Sequence, residues 1–182
     1  MKIIIIASST GGPFILESVL SDLPVLNAVI IIVQHLPPAF TGSFCKQISS
    51  LTRMPVSIAA DGEKITLPHV YTSPAGKHLL VGNNRIFSHS DTEKVHGVRP
   101  AADLTMMSML KRSEDSLMGI VLTGMGRDGA DGINYLHSLG AVTIAQDPST
   151  APIKSMPQAA IETGQVDLIL TPDQIRDAIV SF

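Results

Sequence analysis

Three uninterrupted runs of apolar residues restrict the folds open to this chain. They are Lys2–Ala7 ("KIIIIA"), Asn27–Gln34 ("NAVIIIVQ") and Leu117–Thr123 ("LMGIVLT"). A strand with one face in water alternates apolar and polar residues, whereas a continuous β-branched run is typical of a strand covered on both faces. Only 4% of the residues are aromatic and none is Trp, so Ile, Leu, Val, Ala and Met must fill the core. These runs predict a doubly wound α/β fold with a mostly parallel sheet flanked by helices.

Helical patterns alternate with these strands, as a doubly wound sheet requires. Helices are predicted from Pro13 to about Ser21, over 41–51, over 101–111, from the "GMGRDGADG" loop to about residue 139, and over "TPDQIRDAIV", where Thr171 can cap the helix. "AVTIAQ" and "VDLIL" add two strands. The middle third, residues 56–90, contains "HVYTS", "HLLVG" and "RIFSH" between turns, which predicts a small antiparallel insertion or edge. Because no repeat or linker interrupts the pattern, residues 1–182 are expected to form a single domain.

Charge and cysteine content exclude several classes of function. The formal net charge is −3 and no Lys/Arg stripe is present, so no nucleic-acid partner is expected. Cys45 is the only cysteine, which excludes an internal disulfide and a cysteine-based zinc site and favours a reducing compartment. The isoleucine run is far shorter than the roughly 20 residues that span a bilayer. We therefore expect a cytoplasmic protein without membrane insertion.

Five of the six histidines give no metal-binding pattern. None of them has a second ligand-type residue at the spacing of a metal site, so structural or solvent-facing roles are expected and no metal is predicted. They are His69, His78, His89, His96 and His137. The methionines at 106, 107 and 109 have helical spacing and are expected to pack a helix.

Three predicted strand ends carry polar residues of complementary chemistry. Ser9 follows the first strand, His35 follows the second, and Asp128 lies in the loop after "GIVLT". In open parallel sheets the reactive crevice lies at the carboxyl ends of the strands. A serine nucleophile needs a base, and the base needs a carboxylate to orient it, which are the roles these three residues can fill.

Two glycine-containing turns add candidate backbone donors. "STGG" and "TGMGRDG" both lead into a helix N-terminus, where N–H groups are unobstructed by side chains and can stabilise a tetrahedral oxyanion. The N–H groups of Thr10 and Met125 are the candidates. Two serines, Ser8 and Ser9, are adjacent at the end of the first strand. Ser9 is the predicted nucleophile, because neighbouring residues at a strand end point to opposite sides and Ser9 is nearer the helix.

Other functions remain compatible with these residues taken one at a time. A Ser/Thr/Gly turn before a helix is often a cap or a phosphate site, although this one lacks the Gly-x-Gly-x-x-Gly and Gly-Lys-Ser/Thr patterns. Asp128 could simply cap the following helix. A nucleotide or phosphate binder, and a catalytically silent receptor-binding module, are therefore the alternatives to a hydrolase.

Longer motifs are similar to those of a known family. "ASSTGGP", "VQHLPPAFTGSF", "YTSPAGKHLLV", "RPAADLTMMSM", "VLTGMGRDGADG" and "AQDPSTAPIKSMPQAAIETGQVD" follow one another in the order found in the catalytic domain of the CheB-type protein-glutamate methylesterases of bacterial and archaeal chemotaxis. The resemblance covers nearly the whole chain. The family opening Gly-Ala-Ser-Thr-Gly-Gly differs here, because Ala7 and Ser8 replace the glycine and the alanine.

The resemblance implies a serine hydrolase that removes methyl groups from glutamyl methyl esters on chemotaxis receptors, and it allows deamidation of receptor glutamines. It implies Ser9 as nucleophile, His35 as base, Asp128 as orienting carboxylate and the Met125 N–H as oxyanion donor, with no cofactor and no metal. Family members commonly carry an N-terminal receiver domain that is controlled by phosphorylation. No receiver is expected within these residues, because the first predicted strand begins at Lys2.

Overall fold

A computed structural model describes residues 1–182. Its strands are β1 (Lys2–Ser8), β2 (Ala28–Gln34), β3 (Val56–Ile58), β4 (His69–Thr72), β5 (His78–Val81), β6 (Phe87–Ser90), β7 (Ser116–Val121), β8 (Val142–Gln146) and β9 (Leu168–Leu170). Its α-helices are α1 (Gly12–Leu20), α2 (Thr41–Leu51), α3 (Ala102–Met107), α4 (Ala130–Ser138), α5 (Ser155–Glu162) and α6 (Pro172–Ser181), and a 3-10 turn spans Pro38–Phe40.

Seven strands form one sheet in the order β3-β4-β2-β1-β7-β8-β9. All pairs in it are parallel, which confirms the predicted doubly wound fold. The central strand β1 lies between β2 and β7, and its register pairs Ser8 with Gln34. The residues that follow this pair, Ser9 and His35, therefore leave the sheet side by side at its carboxyl edge.

The isoleucine runs are buried on both faces of the sheet. Ile3 and Ile5 pack into one apolar cluster and Ile4 and Ile6 into the cluster on the opposite face, and none of the four is more than 1% exposed. Successive side chains of a strand alternate between faces, so a strand between two helix layers needs apolar residues at every position. The sheet supplies a rigid base for the loops at its carboxyl edge.

The middle third is only partly antiparallel. The predicted antiparallel insertion exists as the two-stranded sheet of β5 and β6. The assignment of "HVYTS" to it is wrong, because β4 joins the main sheet in parallel between β3 and β2. Val70 and Tyr71 in β4 are fully buried, and burial on both faces draws this short strand into the core.

Helix α3 is shorter than the predicted span of 101–111. It ends at Met107, where Ser108 turns its hydroxyl back to the Thr105 carbonyl at 2.7 Å and accepts a hydrogen bond from the Val81 N–H at 2.9 Å. Serine competes in this way with the backbone hydrogen bonds of a helix. Met106 and Met109 are fully buried, as expected, whereas Met107 is 48% exposed.

No helix of the chain is both long and apolar enough to span a bilayer.

The predicted cap of α6 is confirmed and gives a test of the fold. Thr171 Oγ1 accepts from the Gln174 N–H, and Gln174 Oε1 accepts from the Thr171 N–H at 3.0 Å, which is a capping box. Thr171→Ala is expected to lower the free energy of unfolding by about 0.5–2 kcal/mol in urea denaturation. Thr171→Ser, which keeps the acceptor, should stay near the wild-type value; equal losses in both variants would contradict the capping role.

Candidate active site

Ser9 and His35 line one cavity at the carboxyl edge of the sheet. The cavity has a volume of about 400 Å³, and its walls include Thr10, Phe40 and Gln47 from the turn after β1, the "LPPAF" segment and helix α2. Two backbone hydrogen bonds connect the strand ends beside the cavity. The Ser9 N–H donates to the Thr123 carbonyl and the His35 N–H donates to the Ser8 carbonyl, both at 3.0 Å. The strand ends of β1, β2 and β7 thus meet at this point.

The two adjacent serines have different surroundings. Ser8 is fully buried, and its Oγ has no hydrogen-bond partner. It faces Gly12 in the first turn of α1, where an added Cβ would overlap Ser8 Oγ. Ser9 is 8% exposed and lines the cavity with His35. The expected alternation therefore separates the two hydroxyls, and only Ser9 faces the cavity.

Asp128 contacts His35 directly. His35 Nε2 lies 2.6 Å from Asp128 Oδ2, although 93 residues separate the two in sequence. The same carboxylate accepts from the Ala102 N–H at 2.7 Å and, through Oδ1, from the Asp103 N–H at 3.0 Å. Three donors from two other segments therefore fix the orientation of the Asp128 side chain, which is 2% exposed.

The charge of Asp128 is maintained against its burial. Burial by itself would raise the pKa of Asp128, but the hydrogen bonds from His35 and from the backbone of Asp103 and Ala102 outweigh it, so the pKa lies below its ordinary value. An ionised carboxylate can only accept, so His35 Nε2 carries the hydrogen of this contact. In the neutral imidazole, the other ring nitrogen then keeps its lone pair.

That second nitrogen, His35 Nδ1, is buried without a hydrogen-bond partner. Buried polar atoms are nearly always paired, so an unpaired one beside a serine-lined cavity indicates a functional role. No hydrogen bond joins Ser9 to His35 here; contacts between a nucleophile and its base commonly tighten only when substrate binds. An imidazole whose Nε2–H is held by a carboxylate and whose Nδ1 lone pair is free can act as a base.

Two backbone N–H groups close to Ser9 in the chain or in space lack an acceptor. Gly124 and Gly126 are fixed by Ser155, whose hydroxyl donates to the Gly124 carbonyl at 2.9 Å and accepts from the Gly126 N–H at 3.2 Å. Met125 lies between them, and neither its N–H nor that of Thr10 donates a hydrogen bond. A Cβ at Gly124 would lie 2.6 Å from the Ser9 Cβ, so this loop approaches Ser9 closely because position 124 has no side chain.

Two residues of the site gave no separate signal in the sequence. Gln34 Nε2 donates to the carbonyls of Ser9 and His35, both at 3.0 Å, and so ties the two strand ends together. Asp103, which is 2% exposed, accepts from the N–H groups of Gly129 and Gly132. Both residues lie within quoted motifs, yet only the three-dimensional contacts reveal what they hold.

The other histidines contact neighbouring residues of the fold. His69 stacks on Tyr71 and contacts Ser57, His78 joins the Glu93 carbonyl and the Ala101 N–H, and His89 bonds the Ala59 carbonyl. His137 lies 3.5 Å from Asp167 at the surface. His96, Asp103 and Asp131 bring ligand-type atoms within 4.8 Å of one another, but Asp103 is already engaged by His96 and by two backbone donors.

The fold and this site define a doubly wound α/β protein in which a serine, a histidine and an aspartate meet at the carboxyl edge of a parallel sheet. A family model described as "CheB methylesterase" matches residues 4–179. The chain belongs to this family.

Individual relatives agree with that membership. Proteins named "Protein-glutamate methylesterase/protein-glutamine glutaminase" from Pyrococcus abyssi (strain GE5 / Orsay) and Haloarcula marismortui are 41% and 39% identical, over 96% and 97% of this chain. The chain spans about half the length of these curated relatives, 49% of each. The crystal structure of the Thermotoga maritima CheB methylesterase catalytic domain superposes with a TM-score of 0.93 at 34% identity, covering 99% of this chain and 97% of that one.

The different exposure of the two serines predicts which one reacts. A serine-directed fluorophosphonate should modify Ser9 and leave Ser8 unmodified, because Ser8 lies behind the first turn of α1. Peptide mapping by mass spectrometry identifies the modified residue. Ser8→Ala should label as the wild type does; adduct on Ser8, or equal labelling of Ser9→Ala, would contradict this assignment.

Proposed function

We propose that the chain is a serine hydrolase that removes methyl groups from glutamyl methyl esters of protein substrates and releases methanol. The observation that carries this proposal is the hydrogen bond from His35 to Asp128, which leaves Nδ1 unpaired on a histidine that lines the same cavity as Ser9. Membership of the CheB methylesterase family and the printed names of the relatives support the reaction class.

The first half-reaction forms an acyl-enzyme. Ser9 Oγ attacks the ester carbonyl carbon while His35 Nδ1 takes the hydroxyl proton, and Asp128 stabilises the resulting imidazolium. Negative charge moves to the carbonyl oxygen, where the free N–H groups of Met125 and Thr10 stabilise it. The tetrahedral intermediate collapses with cleavage of the carbon–oxygen bond to the methoxy group, and His35 returns its proton to the departing methanol.

The second half-reaction regenerates the serine. Water attacks the acyl carbon, His35 accepts a proton from it, and the same N–H groups stabilise the second oxyanion. Collapse releases the glutamate side chain and returns a proton to Ser9. With a glutamine side chain as substrate, the same sequence would release ammonia in place of methanol, which is the deamidation included in the relatives' names.

The substrate is a protein side chain, for which we propose the cytoplasmic region of chemotaxis receptors. The cavity opens between the "LPPAF" segment and the turn after β1. A second groove of about 390 Å³ continues on the other side of His35 and Leu36 towards Gly97 and Val98. Together they offer an open surface on which a side chain presented by a partner can reach Ser9. Residues 1–182 would form one catalytic domain, working in the cytoplasm.

The nucleophile assignment predicts a large and selective loss of activity. Ser9→Ala is expected to lower methanol release from a methylated receptor by on the order of 10⁴- to 10⁶-fold, because no acyl-enzyme can form. Ser8→Ala is the matched control and should retain turnover. Wild-type turnover by a folded Ser9→Ala protein would refute the proposal.

The oxyanion assignment predicts an effect of the backbone at position 125. Met125→Pro removes the N–H and should lower kcat by roughly 10²- to 10³-fold. Met125→Ala keeps the N–H, and since the Met125 side chain is 76% exposed, its loss should be far smaller. Circular dichroism verifies that both variants fold. Equal rates for the two variants would exclude this N–H as an oxyanion donor.

A further inference from the structure

Asp128 accepts hydrogen bonds from the start of α3, and Asp103 accepts hydrogen bonds from the start of α4. The first N–H groups of a helix lack partners within it and need acceptors from elsewhere. Asp128, just before α4, accepts from Ala102 and Asp103 in the first turn of α3. Asp103 in turn accepts through a single oxygen, Oδ1, from Gly129 at 2.9 Å and Gly132 at 2.7 Å, at the start of α4. Each carboxylate therefore caps the helix beside the other.

The two carboxylates form parallel contacts with histidines. Asp128 Oδ2 contacts His35, and Asp103 Oδ2 lies 3.0 Å from His96 Nε2. Both aspartates are 2% exposed, whereas His96 and its second acidic neighbour Asp131, at 3.8 Å, are at the surface. Only the first pair reaches the cavity that Ser9 lines. The second pair joins the buried Asp103 to the exposed His96 and has no part in the proposed reaction.

The close approach of the two helices leaves little freedom for Asp103 to move. A Cβ added at Gly132 would lie 2.8 Å from the Met106 Cβ and 3.2 Å from Asp103 Oδ1. Glycine at position 132 is therefore what lets the N–H of residue 132 come within 2.7 Å of Asp103. A shift of Asp103 would release the α4 N-terminus and with it the loop that carries Asp128.

The surroundings of Asp103 disfavour its charged form. Burial and the charge of Asp128 raise the pKa of Asp103, against the lowering effect of the Gly132 N–H; Asp131 adds to the rise, and His96 opposes it. The folded state then binds the Asp103 proton more tightly than the unfolded chain does. The contribution of Asp103 to stability is therefore fully present below the ordinary value of 3.8 and is lost as pH rises through the folded pKa. An apolar residue would avoid this loss but would leave the N–H groups of Gly129 and Gly132 without their acceptor.

We propose that Asp103 is a positioning residue that, by capping α4, holds the Asp128 carboxylate in the orientation that His35 requires. The role rests on the proposed function of the Ser9 site. It acts through backbone geometry, because Oδ1 receives both N–H groups of α4. An asparagine, whose side-chain oxygen can accept the same two hydrogen bonds, should therefore preserve the function, whereas an alanine should not.

The test compares Asp103→Ala with Asp103→Asn, using Asp131→Ala as the matched control. Asp131 is also on α4 and acidic, but it is 49% exposed and pairs with Arg127. Asp103→Ala should lower kcat for methanol release, and the rate of fluorophosphonate reaction at Ser9, by on the order of 10²-fold with little change in KM. Asp103→Asn should recover most of both rates, and Asp131→Ala should leave both near the wild-type values.

The outcomes separate this inference from the proposed function. If wild-type protein reacts with the fluorophosphonate at Ser9 but releases no methanol, the methylesterase proposal fails, and the labelling rates still test Asp103. If Asp103→Ala remains as reactive as wild type, measured well below its melting temperature, Asp103 has only a structural role and the inference is overturned. The inference is also overturned if Asp103→Asn is folded and as slow as Asp103→Ala.

Discussion

The parallel register between β1 and β2 is the constraint on which the site depends. Because Ser8 pairs with Gln34, Ser9 and His35 lie side by side at the carboxyl edge of the sheet. The side chain of Gln34 then donates hydrogen bonds to the backbone carbonyls of both residues. A slip of one residue would send Ser9 to the opposite face, because side chains alternate along a strand. Because the isoleucine runs are apolar towards both faces, their burial holds β1 and β2 in the core but does not by itself distinguish one register from the next. The polar contacts of Gln34 at the strand ends belong to the register that positions the nucleophile.

The register positions Ser9 and His35, and the charge of Asp128 then orients the His35 ring. A carboxylate as buried as Asp128 would ordinarily be neutral, yet His35 and two backbone N–H groups keep it charged. Its charge requires His35 Nε2 to carry the hydrogen of their contact, and Nδ1 is left without a partner on a ring that lines the cavity. The backbone donors come from α3, whose position depends on the packing of α3 against α4. The chemistry of a single imidazole is thus connected to the contact between two helices that do not reach the cavity themselves.

The sequence was sufficient for the main strands, for five of the six α-helices and for placing three polar residues of complementary chemistry at strand ends, because continuous apolar runs and polar strand ends are local patterns. Helix α5 (Ser155–Glu162) was not predicted. The sequence failed where tertiary contacts decide. "HVYTS" is a short strand in a region rich in turns, which favoured an antiparallel insertion or edge, yet its pairing between β3 and β2 makes it part of the parallel sheet. Helix α3 ends early because Ser108 is engaged by Val81, 27 residues away. Asp103 gave no signal of its own, because no local pattern links it to Gly129 and Gly132 at the start of the next helix.

The account requires His35 Nδ1 to face the Ser9 hydroxyl while Nε2 contacts Asp128. A crystal structure of the protein after reaction with a small phosphonate ester tests this most directly, because the tetrahedral adduct resembles the reacting ester. We predict phosphorus bonded to Ser9 Oγ, His35 Nδ1 within hydrogen-bond distance of that oxygen, and a phosphonyl oxygen accepting from the Met125 N–H. An adduct on another residue, or a His35 ring turned away from Ser9 with its contact to Asp128 unchanged, would contradict it.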